Sequence, residues 1–308
     1  MIRKIFMLIT AILFASNIFL SPIVNAETST YEQITSQFEG YVSNLPTAKK
    51  AYKSRQRPIL IEGAMNVEID KFVYALKNPA VYKILNYVYI AGTYKNYPVI
   101  VARTEQGMEN SAAVTALAIE NFNPIAVINQ GIAGGYIEDA KINSIVIGNK
   151  FVNGSAYITE YTPEGAGIKI TPQKMRGTFA YDNDAKNFQL YQEYLADSTL
   201  LKIAEDVAAS NKNFVTLTGT IFSANSWFNG MDHFKFLHET YGSLCEEMEG
   251  SAAAQICKSS NVPFIGIRAI SNNRVLSSEF HEETAITSQD FVLLVTEKLI
   301  RNIKAGKF

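Results

Sequence analysis

"CEEMEGSAAAQICKSSNVPFIGIRAISNN", Cys245 to Asn273, decides how this chain is read. An acidic knot, Glu246-Glu247-Met248-Glu249, stands directly before an alanine-rich run with helical spacing. After Asn261-Val262-Pro263 comes Phe264-Ile265-Gly266-Ile267, apolar throughout, followed by the lone Arg268 and then by Ser271-Asn272-Asn273. A short strand with no polar alternation is one buried on both faces, as in a largely parallel sheet covered by helices. Three carboxylates, an arginine and two amides therefore sit at the ends of elements that otherwise read as core.

The same alternation extends on both sides. "PILIEGAM" (58–65) reads as a buried strand and turn, and "YVYIAGTYKNYPVIVAR" (87–103) as two strands joined at Lys95-Asn96. "SAAVTALAIENF" (111–122) carries apolar residues at helical spacing. "PIAVINQGIAGG" (124–135) is a strand running into a glycine loop, and "INSIVIG" (142–148) is another strand. Residues 149–183 read as an irregular connection, long enough to suggest a functional role. Helical periodicity is read in "AKNFQLYQEYL" (185–195) and "STLLKIAEDVAAS" (198–210), then a strand in "FVTLTG" (214–219). A helix is expected from Asp232, and a last one over "DFVLLVTEKLIRNI" (290–303). Strands alternating with helices predict an α/β sandwich with helices flanking a mixed, largely parallel central sheet.

The chain begins with Arg3-Lys4, an apolar run from Ile5 to Leu20, and the small-residue site Val24-Asn25-Ala26. This is the pattern of an export leader cut after Ala26; the run is short for a membrane span, so an exported product without a membrane anchor is expected. Losing Arg3 and Lys4 leaves 26 Lys+Arg against 29 Asp+Glu, a net charge near −3. That balance gives no support to nucleic-acid binding. Residues 27–57 are polar and read as an N-terminal extension outside the main core, and 58–308 as one domain. Two cysteines, Cys245 and Cys257, are too few for a disulfide framework and read as buried thiols. The three histidines have no metal-ligand spacing, and neither a metal nor a cofactor is expected.

Ligands of open α/β sheets bind beyond the carboxyl ends of strands. Glu68, Gln130 to Gly135, Asn225 to Phe228, Glu247 with Glu249, and Arg268 to Asn273 all fall at such ends. Each also has a plain structural alternative. Glu249 suits a first helical turn, where the dipole favours an acid, and Asn272 and Asn273 suit a turn.

Taken together and in order, "GAMNVEI" (63–69), "VINQGIAGG" (127–135), "SANSWFNG" (223–230), "EEMEGSAAAQIC" (246–257) and "NVPFIGIRAISNN" (261–273) resemble the purine nucleoside phosphorylase/nucleosidase superfamily. The similarity covers most of residues 58–305 and is nearest to its 5′-methylthioadenosine/S-adenosylhomocysteine nucleosidase branch. The resemblance implies a three-layer phosphorylase/hydrolase-like fold, a small-molecule nucleoside substrate and a homodimer. It implies that Glu249 holds the ribose hydroxyls, Met248 packs on the sugar, and Glu68 positions and deprotonates the attacking water. Arg268 would help hold that water, while Trp227 and Phe228, with Gly134 and Asn273, would surround the purine. Such groups suit the chemistry. Breaking the N-glycosidic bond builds positive charge at C1′ and negative charge on the base, and charges or donors placed at each stabilise it.

Two departures matter. Where the methylthioadenosine nucleosidases carry an acidic aspartate that meets the purine, this chain has Asn272. An amide delivers no proton, yet its NH₂ donates to a 6-oxygen, as in the superfamily's 6-oxopurine members. Where phosphorylases place an arginine and a serine to hold phosphate, this chain has Asn129 and Ile132. Water is therefore the expected nucleophile, and the alternatives are a purine nucleoside phosphorylase or a catalytically impaired nucleoside-binding, storage-type protein.

Overall fold

The computed structural model describes residues 29–36, 52–169, 173–227, 229–276 and 279–308. The leader and Phe228 lie outside them. Fourteen strands are present in these segments: β1 (Ile59–Gly63), β2 (Lys77–Ile84), β3 (Tyr87–Tyr94), β4 (Tyr97–Arg103), β5 (Ala126–Gly135), β6 (Ile145–Asn153), β7 (Tyr157–Thr159), β8 (Gln173–Met175), β9 (Thr178–Asp182), β10 (Asn187–Tyr191), β11 (Glu193–Leu195), β12 (Thr216–Ser223), β13 (Ser243–Glu247) and β14 (Phe264–Asn273). The helices are α1 (Thr30–Ser36), α2 (Asn66–Ala75), α3 (Met108–Phe122), α4 (Ser198–Ser210), α5 (Met231–Tyr241), α6 (Gly250–Ser260) and α7 (Thr284–Lys304).

Parallel ladders join β1 to β4 and β5, β14 to β5, and β12 to β6 and β13. Antiparallel ladders join β13 to β5, β14 to β6, β11 to β6, and β2 through β3 to β4. The circuit β5–β14–β6–β12–β13 closes on itself, so the polar groups at its strand ends converge on one mouth. One edge of β5 carries β14 along its length. The other carries β1 only as far as Asn129 and β13 only from Gly134. Between them the backbone of β5 has no strand partner on that edge, and its N–H groups need another acceptor.

Helices cover both faces. Ile69, Phe72 and Val73 of α2, Leu200 and Ile203 of α4, and Phe291, Val292 and Val295 of α7 pack with Ile59, Ile61, Ile265 and Ile267. Val114 and Ala118 of α3 and Ala253, Ala254 and Cys257 of α6 pack with Leu60, Val127, Phe264 and Ile270. Alternate residues of each strand thus serve opposite layers, the requirement for a sheet apolar throughout. Tyr31 of α1 is buried in the first of these layers, so part of the N-terminal extension belongs to the core rather than lying apart from it.

Local signals explain most boundaries. Lys95 and Asn96 both take positive φ (49° and 58°), the geometry of a two-residue hairpin loop. Asp197 caps α4 by accepting from the N–H groups of Thr199 and Leu200, both at 2.9 Å. Five expectations need correction. Residues 149–183 are not irregular throughout: they carry the end of β6 and the short strands β7, β8 and β9. "AKNFQLYQEYL" is not helical: it forms β10, hairpinned to β9, and β11, paired with β6. Its apolar spacing fits either period, and Asp182, accepting from Asp184 and Ala185, sets the turn that selects the hairpin. The Gly134-Gly135 loop is the end of β5, and Arg268 to Asn273 continue β14 instead of following it. The acidic knot is split: Glu246 and Glu247 end β13, and Glu249 is the N-cap of α6.

Candidate active site

The gap on the edge of β5 is filled by Glu68, in the first turn of α2. Its Oε1 accepts from Ile132 N at 2.9 Å, and its Oε2 from Ala64 N at 2.6 Å and Met65 N at 3.0 Å. A carboxylate offers about four acceptor sites, so these bonds leave room for one more partner. The approach requires Gly131: a Cβ there would lie 2.3 Å from Glu68 Oε1. Burial raises the pKa of Glu68, against the pull of the Arg268 charge and the backbone donors.

Glu249, the N-cap of α6, reaches the same region. Its Oε1 accepts from Gly107 N at 2.8 Å, at the start of α3, and its Oε2 from Met248 N at 3.3 Å. Asn225 takes the next donor of that helix, Met108 N, at 3.0 Å. Burial, then the adjacent Glu247 charge, holds the Glu249 carboxyl well above the usual range. Such a group binds ligand hydroxyls readily because desolvation has already occurred.

Behind these two lies a fully paired layer. Glu247 accepts from Glu249 N at 3.0 Å, from Gly250 N at 2.8 Å, and from Ser223 Oγ and Arg268 Nη2. Arg268, 1% exposed, also donates to Asn129 O (3.0 Å), Asn129 Oδ1 (2.5 Å) and Ile267 O (3.0 Å). Asn129 Nδ2 in turn donates to Glu62 Oε2 at 3.1 Å.

Glu68, Met248, Glu249, Gly134 and Trp227 all line one cavity of about 80 Å³, together with Ile132, Glu246, Glu247, Ser271 and Phe280. The half-exposed Trp227 and Phe280 stand at its rim. No lysine, arginine or histidine is among the described residues lining it. A larger cleft, about 430 Å³, beside Tyr191 and Tyr194 has Asp197 as its one carboxylate, already engaged in capping α4.

The remaining expected residues fall elsewhere. Arg268 stands behind Glu247 rather than on the cavity wall. Asn273 is turned away: Nδ2 donates to Ile137 O and Ala140 O, each at 2.7 Å, and Oδ1 accepts from Val275 N at 2.8 Å. It organises the turn after β14 and has no amide proton left for a ligand. Asn272 packs against Gly134, with Ser271 Oγ 3.0 Å from its Oδ1. Phe228 lies outside the described residues. Several cavity residues had been given no role, among them Glu246, Ser271, Gln106 and Phe280. Cys245 and Cys257 are free, buried thiols, and no metal-holding group of His, Cys, Asp and Glu exists among the described residues.

This arrangement has known counterparts. The model of the phosphorylase superfamily matches residues 58–301. The 5′-methylthioadenosine/S-adenosylhomocysteine nucleosidase of Geobacillus sp. (strain WCH70) is 30% identical over 247 residues, spanning 78% of this chain and 98% of that protein. The nucleosidase of the same name from Neisseria meningitidis, solved with methylthio-immucillin-A, superposes with a TM-score of 0.64 at 22% identity, covering 79% of this chain and 99% of that one. A futalosine hydrolase of Helicobacter pylori superposes with a TM-score of 0.63 at 24% identity, covering 79% and 98%. The profile match over nearly the whole folded region, with the nucleosidase of 30% identity spanned almost end to end, establishes the family: this chain belongs to the phosphorylase superfamily, alongside the 5′-methylthioadenosine/S-adenosylhomocysteine nucleosidases.

Proposed function

We propose that this protein is a purine nucleosidase that hydrolyses the N-glycosidic bond, exported by its leader and acting as a homodimer. One observation carries the reading: Glu68 and Glu249, held by different backbone donors, line one cavity, and no cation among the described residues lines it. Phosphorolysis needs a site for a phosphate dianion, and a cavity lined by acidic groups with no cationic side chain among its described residues offers no counter-charge for one. Of the two positions where phosphate ligands were expected, Asn129 is engaged with Arg268 and Glu62, and Ile132 offers only its backbone N–H, already on Glu68.

In this reading Glu68 uses its remaining acceptor site to hold a water and takes its proton as the water attacks C1′. Glu249 accepts from the ribose hydroxyls, bonds that favour its ionised form, and that charge then stabilises the positive sugar of the transition state. Met248 packs on the sugar, and Trp227 and Phe228 flank the base. Arg268 acts through Glu247 as a positioning residue for the start of α6. At the base, Asn272 favours 6-oxopurine nucleosides, because its Oδ1 lies beside the Ser271 hydroxyl and its NH₂ is then the group to offer. The test is base release from inosine, guanosine, adenosine and methylthioadenosine with and without phosphate. Equal rates with and without phosphate are expected, with the free sugar as co-product: ribose, or 5-methylthioribose from methylthioadenosine. Turnover that appears only with phosphate, yielding ribose 1-phosphate, would overturn the reading.

A further inference from the structure

A purine leaves slowly as an anion, and Asn272 has no proton to give it. Another acid stands at the same spot. Glu246, 6% exposed, lines the cavity at the end of β13. It lies across Gly134 from Asn272: a Cβ added to Gly134 would come 3.5 Å from either terminal atom of Asn272 and 3.7 Å from Cγ of Glu246. Register explains the juxtaposition, since Gly134 pairs with Glu246 on one side and with Asn272 on the other. Glycine at 134 leaves the space between the two side chains open.

We propose that Glu246 is the acid that protonates the departing purine, resting on the nucleosidase reading above and replacing what Asn272 cannot supply. The surroundings suit a neutral carboxyl. Tyr136 Oη donates to Oε2 at 2.6 Å, and among the described residues no hydrogen bond reaches Oε1. The Tyr136 ring is itself fixed, stacked on Phe234 at 5.0 Å and buried. With Oε2 accepting as the carbonyl oxygen, Oε1 carries the proton. Burial pushes the Glu246 pKa up to about 7, against the Tyr136 hydrogen bond and the Arg274 charge that lower it. On its own strand Glu247 is charge-paired with Arg268, and Cys245 is a buried thiol that burial keeps protonated. Catalytic acids work best when their pKa lies near the working pH.

The step balances. The C1′–N9 bond breaks with its electron pair going to the purine, and the Glu246 proton passes to N7. The water oxygen bonds to C1′, and the water proton passes to Glu68. Products are free base and ribose, and the proton returns from Glu68 to Glu246 through solvent. Asn272 then reads the 6-position while Glu246 serves N7.

The experiment compares two substrates in Glu246→Gln: inosine, whose base needs a proton to leave, and 4-nitrophenyl β-ribofuranoside, whose phenolate does not. Glutamine keeps the shape and the acceptor for Tyr136. We expect kcat for inosine to fall about 10²-fold or more, with nitrophenyl riboside cleavage preserved and the alkaline limb of the inosine pH profile lost. Equal losses on both substrates would mean a structural role, and no loss would mean no role; either overturns the proposal. Tyr136→Phe is the second variant, removing the bond that favours the carboxylate. Its inosine profile should keep an alkaline limb displaced to higher pH, and an unmoved limb also overturns the proposal. A wild-type protein that cleaves the nitrophenyl riboside but no purine nucleoside refutes the acid while leaving the glycosidase intact. A protein that cleaves neither refutes the nucleosidase reading itself.

Discussion

Two layers of polar residues meet at the strand ends, and they differ in how completely they are paired. The front layer, Glu68, Glu249, Glu246 and Ser271, lines the cavity. Its carboxylates take backbone or tyrosine donors and keep an acceptor site in reserve. Glu247 also lines the cavity, but its acceptor sites are spent on Arg268, Ser223 and the N–H groups of Glu249 and Gly250. Behind it the rear layer, Arg268, Asn129 and Glu62, joins charge to amide and amide to acid within the sheet. Burial costs both layers similar desolvation. Only the front retains capacity for a ligand, so mutations there should strike turnover and mutations behind should strike the fold.

The largest expected effect tests the front. Glu68→Gln removes the base, and general-base catalysis contributes typically about 10²–10⁴-fold. Glutamine accepts through one oxygen only, so one of the donors at Ala64, Met65 and Ile132 loses its partner and Tm falls slightly. Steady-state kinetics with calorimetric ligand binding decide the matter. A kcat within about tenfold of wild type, well short of that range, would strip Glu68 of its role.

Behind it, Arg268→Met should do the reverse. Removing one partner of a buried ion pair costs about 3–5 kcal/mol, because the other charge is left uncompensated. Glu247 would lose Arg268 while still holding the first N–H groups of α6. Urea unfolding measures the loss. A variant that is fully stable but inactive would move Arg268 to the front layer.

The base end gives the next effect. Asn272→Asp replaces an NH₂ donor facing a 6-oxygen with an acceptor. Losing or opposing one preorganised donor is worth about 10²-fold in rate, so the inosine-to-adenosine ratio of kcat/KM should fall by about that factor. A ratio below one in the wild type, unmoved by the substitution, would show that Asn272 does not read the base.

How much of this was legible follows from what each signal depends on. Glu68, Met248, Glu249, Gly134 and Trp227 were found from motif order, and the structure places all of them on the cavity. Arg268 and Asn273 were found too, but their depth depends on where β14 stops. Read as ending at Ile267, the strand leaves Arg268 to Asn273 facing outward; running to Asn273, it buries every residue. Glu246 was overlooked for a related reason. Neighbours on a strand face opposite ways, so an acidic pair reads as one working residue and one bystander. Here both members of the pair line the cavity, with Glu246 set beside Gly134 of the paired strand. Periodicity also misread 185–195, where pairing with distant strands, absent from any local window, sets the conformation.

The smallest effect concerns Glu62, at the far end of the rear layer. Thr115 Oγ1 lies 2.8 Å from Glu62 Oε1 and 2.8 Å from Ser111 O. One hydroxyl has one proton. If Thr115 gives it to Ser111, then Glu62 must itself donate to Thr115, and a protonated Glu62 satisfies the whole chain. Burial agrees, pushing the Glu62 pKa up to about 7, opposed by its bonds from Asn129 and Thr115 and by the Arg268 charge. For a carboxyl whose folded pKa is raised, the native state binds more protons than the unfolded one between the two values. Stability therefore falls as pH rises through that window. From pH 5 to pH 7 this single group should remove about 2 kcal/mol, using 1.36 kcal/mol per pKa unit. Glu62→Gln reproduces the protonated form: its NH₂ donates to Thr115 and its oxygen accepts from Asn129. The variant should match wild type in urea unfolding at pH 5 and exceed it at pH 7, with activity retained. A variant less stable at both values would mean that Glu62 is ionised in the folded protein, and that the rear layer is held by one more charge than its hydrogen bonds imply.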